Sequence, residues 1–155
     1  MIKHKRVQSV FRLVLAVIMI TILLIAAIVK LIYPSPLLQD FFFLVSLFEV
    51  ALAVAIAVFW NHWKMWALLA LVFATWGGYS LYAALFGLPC LCLGVAVDLP
   101  QGTSFLFNLL LVMLCWVVLK DFRIPSQRVF QLALLSCLLV AVGLLSATIL
   151  YSSRY

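Results

Sequence analysis

Charge is what this chain has least of. Only 9% of its 155 residues are charged, and four of those are acidic. A water-soluble domain of this size carries about a quarter charged residues, so a fully solvated surface is excluded. Histidine is scarce as well: His4 and His62 are the two present, and neither has a metal-ligand neighbour at helical spacing. No glycine-rich phosphate loop occurs, which removes a common nucleotide-binding device. The net charge of +6 could suggest nucleic acid. The basic residues instead form short clusters between apolar runs, where membrane orientation accounts for them, and no nucleic-acid partner is expected.

What the chain has in abundance is hydrocarbon. Hydrophobic residues make up 69% of it, with a mean hydropathy of +1.33. The apolar runs predict an all-α, polytopic membrane helix bundle forming one membrane domain, with transmembrane helices over residues 10–33, 41–60, 65–86, 104–120 and 129–151. Each run is near the ~20 residues that cross a ~30 Å hydrocarbon core. A transmembrane barrel would show strict alternation in short segments, and these runs are continuous. A basic head, Lys3, His4, Lys5 and Arg6, precedes the first run. That resembles a secretory signal, but the run is too long, and Ala26-Ala27 leads into further apolar sequence and Lys30. A retained first helix is expected. Pro34-Ser35-Pro36 ends it, because proline lacks an N–H and disfavours helix in the residue before it.

Orientation follows from the positive charges. With a cytoplasmic N-terminus, Lys3, Lys5, Arg6, Arg12, Lys64, Lys120, Arg123 and Arg128 lie inside, and only Lys30 and Arg154 lie outside. Trp60, Trp63, Trp66 and Trp116 then fall near the inner interface, and Tyr33, Tyr82 and Tyr151 near the outer one. The expectation is a multi-pass membrane protein with its C-terminus on the outer side, which in a bacterium is the periplasmic side of the inner membrane.

This topology places one reactive stretch outside: Gly87-Leu88-Pro89-Cys90-Leu91-Cys92-Leu93-Gly94. The periplasm is oxidising, so thiols there form and exchange disulfides. Cys90 and Cys92 are the candidate catalytic residues, with Pro89 and Gly94 shaping a tight backbone around them. One intervening residue makes the preferred disulfide geometry hard to reach. A strained disulfide exchanges readily. The plainer reading is that each cysteine is a small hydrophobe. Two thiolates alone leave zinc or copper under-coordinated, so no metal is expected. Cys115 and Cys137 lie deep in the fourth and fifth runs at a shared depth, and packing is their expected role.

Two ionisable residues sit within the apolar runs. Lys30 lies near the outer end of the first helix and Glu49 about 12 Å below the outer end of the second. Helical side chains lean toward the N-terminus of their helix, so these two point toward each other on antiparallel neighbours. An ion pair facing the bundle interior is expected, either as a packing and registry device or as support for a functional site. Gly77-Gly78 reads as a close helix contact.

Lys30 with the Pro34 turn, Glu49, and Cys90-Leu91-Cys92-Leu93-Gly94 together resemble the MauE/DoxX group of bacterial membrane proteins. The group's pattern has a lysine ending the first helix, a glutamate in the second and a Cys-Gly-Cys-Phe-Gly type segment after the third. Leu91 and Leu93 depart from it, as does the fifth helix. The resemblance implies a four-helix core, here extended by a fifth helix. It also implies a link to periplasmic disulfide chemistry with a thioredoxin-like partner, as in methylamine utilisation, where MauE serves enzyme maturation. The alternative is a non-catalytic scaffold or assembly factor in which the Cys pair and the Lys–Glu pair are structural. A quinone-coupled oxidase of the DsbB or vitamin K epoxide reductase type is similar only in architecture. Those proteins use two surface thiol pairs, and this chain has one, so no cofactor is expected and quinone stands as the minor alternative.

Overall fold

A computed structural model describes residues 2–33, 39–88, 100, 102–122 and 124–152. Among them are five helices and no strand: α1 (Ile2–Ile32), α2 (Gln39–Phe59), α3 (Trp63–Leu85), α4 (Thr103–Lys120) and α5 (Ser126–Ser152). All five are long and apolar enough to cross a membrane. The chain is an all-α, multi-pass membrane protein. In hydrocarbon a helix is favoured even where valine and isoleucine are frequent, because it satisfies every backbone N–H and C=O within one segment.

The helix ends depart from the apolar runs in two places. α1 begins at Ile2 rather than near residue 10, running through the basic head. Lysine and arginine are good helix formers, and hydrophobicity sets where a helix crosses lipid, not where it must stop. α5 begins at Ser126 rather than near residue 129. The carbonyl of Pro125 accepts the N–H groups of Arg128 and Val129 at 2.9 and 3.2 Å. The proline thus opens this helix, where its missing N–H costs nothing.

Two compact units emerge. In the first, α1 and α2 pack against each other. The buried residues of α1 form one stripe: Leu15, Ala16, Met19, Leu23, Ala26, Ala27 and Lys30. Those of α2 do the same: Phe42, Ser46, Glu49, Leu52, Ala53 and Ile56. Three- and four-residue steps keep each set on one helical face. The opposite faces carry exposed Val14, Val17, Ile25, Leu44, Leu47 and Val54, the inverse of a soluble helix. A short turn follows α2, with the N–H of His62 donating to the Phe59 carbonyl at 2.9 Å and that of Met65 to the His62 carbonyl at 3.0 Å.

In the second unit α3 and α5 meet at two glycines. A methyl group at Gly78 would collide with the carbonyl oxygen of Val140, and one at Gly143 with that of Thr75. The contact is reciprocal, each glycine lying under the other helix's backbone. Ala70, Ala74 and Gly78 on α3 and Gly143 and Ala147 on α5 repeat every four residues, the small-residue pattern of close transmembrane crossings. Apolar burial gives little drive between helices already in lipid, so close packing has to supply it. Gly77 differs: a methyl there would meet the Asn108 Cβ at an ordinary 3.7 Å. α4 adds a regular buried stripe of Ser104, Asn108, Leu111, Cys115 and Val118.

Gly78→Ala and Gly143→Ala are each expected to destabilise the protein by about 1–3 kcal/mol, as overpacking does. Gly77→Ala is expected to stay within about 0.5 kcal/mol of wild type. Unfolding by SDS titration in mixed micelles measures both; equal effects at Gly77 and Gly78 would disprove the crossing.

Candidate functional site

Lys30 and Glu49 form the ion pair that helix geometry predicts. The Lys30 Nζ lies 2.5 Å from Glu49 Oε1, and the two side chains are 3% and 2% exposed. The approach is built by the helices. Lys30 stands two residues before the end of the Gln8–Ile32 span, about 3 Å along it. Glu49 stands seven residues into the Phe42–Phe59 span, about 11 Å along it. The lysine leans down its helix and the glutamate leans up its own, which closes the difference. Charge-assisted hydrogen bonds of this kind are short and strong.

The pair is incompletely satisfied. Glu49 Oε2 is buried and has no hydrogen-bond partner among the described residues, and the same holds for the hydroxyl of Ser46. Ser46 lies three residues before Glu49 on the buried stripe of α2, hence on the same face. Composition and spacing do not single out Ser46. Its signal was a lone hydroxyl one turn from the only acidic residue of an apolar run.

Cys90, Cys92, Pro89 and Gly94 lie outside the described residues. The approach to them is described. Gly87, at φ 65°, adopts a left-handed conformation after the last turn of α3. The N–H of Leu88 donates to the Ala83 carbonyl at 2.8 Å, and that of Phe86 to the Tyr82 carbonyl at 3.1 Å. The six-to-one bond and the left-handed glycine are the signature of a Schellman stop, which glycine adopts without a Cβ penalty. Helix α3 therefore ends before Pro89.

The deep cysteines are not equivalent. Cys115 is fully buried on the α4 stripe, and Cys137 is exposed on α5; both are free thiols. Cys137 helps line a cavity of about 290 Å³ within the second unit, together with Phe73, Phe105, Trp116, Ser136 and Val140. The Ser136 hydroxyl is committed to the Leu132 carbonyl at 2.8 Å, which leaves the walls almost wholly apolar. Nearby, the Asn108 amide donates to the Ser104 carbonyl at 2.9 Å and reaches the Ser80 hydroxyl only weakly, at 3.5 Å. Among the described residues no three His, Cys, Asp or Glu side chains gather into a metal site.

Comparison with protein-family models, with curated proteins and with solved structures returned no match to this chain. The likeness to the MauE/DoxX group rests on the quoted residues alone.

Removing one member of a buried pair strands the other. Lys30→Met and Glu49→Leu are each expected to cost about 3–5 kcal/mol, while the double variant loses less than the sum. A double-mutant cycle read by SDS unfolding measures this; an interaction energy near zero would dissolve the pair.

Proposed function

We propose that this protein is a membrane-embedded participant in thiol–disulfide exchange on the outer face of a bacterial inner membrane, with Cys90 and Cys92 as the exchanging thiols. The observation that carries this reading is the Gly87 stop. The α3 backbone closes at Gly87, just before Pro89-Cys90-Leu91-Cys92 in the sequence, which supports reading the thiols on the connection between α3 and α4. A thiol needs access and a thiolate fraction to exchange, and a segment at the membrane edge allows both.

The orientation is part of the proposal. Eight of the ten basic residues fall on one side when the N-terminus is cytoplasmic, which leaves the segment after α3 outside. The partner that fits is a soluble thioredoxin-like protein of the oxidising compartment. A thiolate of the pair attacks a partner disulfide, forming one mixed disulfide and releasing one partner thiolate. The second thiol of the pair then displaces the partner, which leaves reduced with both of its thiols, while Cys90 and Cys92 become a disulfide. The reverse sequence oxidises the partner and balances equally. Membership of the MauE/DoxX group is consistent with this chemistry and belongs to the same proposal. The scaffold reading draws on the buried Lys30–Glu49 pair, a structural element in its own right.

Acid-trapped, alkylated membranes should show a mixed disulfide that accumulates in one of the single variants, Cys90→Ser or Cys92→Ser, and is absent from the double. After mild reduction, a membrane-impermeant maleimide applied to spheroplasts should label both residues and leave Cys115 unlabelled. Mixed disulfides unchanged in the double variant, with wild-type function retained, would favour the scaffold.

A further inference from the structure

Hydroxyls on these helices have a standard solution to lipid. Thr21, Thr75, Ser80, Ser136, Ser146 and Thr148 each donate to a carbonyl three or four residues back, at 2.8 to 3.1 Å. Such a bond needs no partner outside the helix. Ser46 does not make it, although it is only 1% exposed. On the same face Glu49 offers a second orphan, Oε2, while Oε1 holds Lys30. Two buried oxygens without a partner, one turn apart, point to something that the protein chain itself does not supply.

We infer that Ser46 and Glu49 Oε2 form a binding site for one small neutral hydroxyl donor beside the Lys30–Glu49 pair. The charges select it. Lys30 and Glu49 already cancel, so an added cation or anion would leave a net charge in a low-dielectric interior. A purely apolar occupant would leave both oxygens unsatisfied. A neutral O–H donates to the carboxylate oxygen and accepts from the serine hydroxyl; water can also donate to the serine with its second proton. The donor is a water molecule or the hydroxyl of a membrane-soluble compound. Buried waters habitually bridge polar groups of this kind. The site requires no part of the thiol pair and is tested without reference to it.

Infrared difference spectroscopy on the purified full chain in lipid nanodiscs reads the site, comparing wild type with Ser46→Ala and Glu49→Gln in ordinary, deuterated and oxygen-18 water. The expected result is an O–H stretching band of a strongly bonded donor, at least half lost in both variants and unchanged in Ser136→Ala. A shift of that band in oxygen-18 water assigns it to water. A band that moves only in deuterated water, and disappears after extraction of bound apolar compounds, assigns it to an organic hydroxyl. If no band depends on Ser46 together with exchange or extraction, the site does not exist. A protonated-carboxyl band present in wild type and absent from Glu49→Gln also defeats the inference, because Oε2 would then carry a proton rather than accept one. Ser46→Ala removes one oxygen from a helix face, so its circular dichroism should match wild type. It decides the matter alone if Glu49→Gln does not fold.

Discussion

Inside a bilayer no solvent is present to satisfy a polar atom, so each such atom must find its partner within the protein or with something the protein binds. That constraint runs through the whole molecule. It favours helix through stretches rich in valine and isoleucine, turns serine and threonine back on their own helices, and draws Lys30 and Glu49 together. It is strictest where a charge is involved. Either residue alone in hydrocarbon would be costly, and together they form a short, buried contact between α1 and α2. Such a pair is weak evidence for stability in itself, because desolvation offsets much of the attraction. Its clearest effect is on register. One rotation and one translation of α1 against α2 bring the two groups together, and other placements strand a charge.

The second unit meets the same solvent differently. Apolar residues gain little from leaving lipid for protein, so α3 and α5 are held by close approach. Gly78 and Gly143 let two backbones touch where any side chain would separate them. α5 presents most of its surface outward, with only 17% of its span buried against 44% for α3, so its attachment depends heavily on that narrow contact. The cavity of the second unit, with Cys137 on its wall, has apolar walls that place no demand on the polar economy of the bundle.

The thiol pair and the ion pair are related by chain order. Lys30 is near the C-terminal end of α1 and Cys90 follows the C-terminal end of α3. Fixing α1 against α2 is the work of the ion pair, and fixing α3 against α5 that of the glycine crossing, each within its own unit.

Composition and periodicity alone determined the five spans, because twenty apolar residues in a row have few other stable states. The Lys30–Glu49 pair was also legible, since the lean of helical side chains and the antiparallel order of neighbours are local rules. Helix ends were less so: α1 runs on through Lys3, Lys5 and Arg6 because an apolar count measures lipid thickness and not backbone hydrogen bonding. Tertiary structure decided the rest. That Ser46 is left without a partner, that Asn108 turns to the Ser104 carbonyl, that Gly78 rather than Gly77 carries the crossing and that Cys115 is buried while Cys137 is exposed all depend on which face each helix turns inward. In a helix that is apolar all round, sequence carries almost no signal for that rotation, and only packing against neighbours sets it.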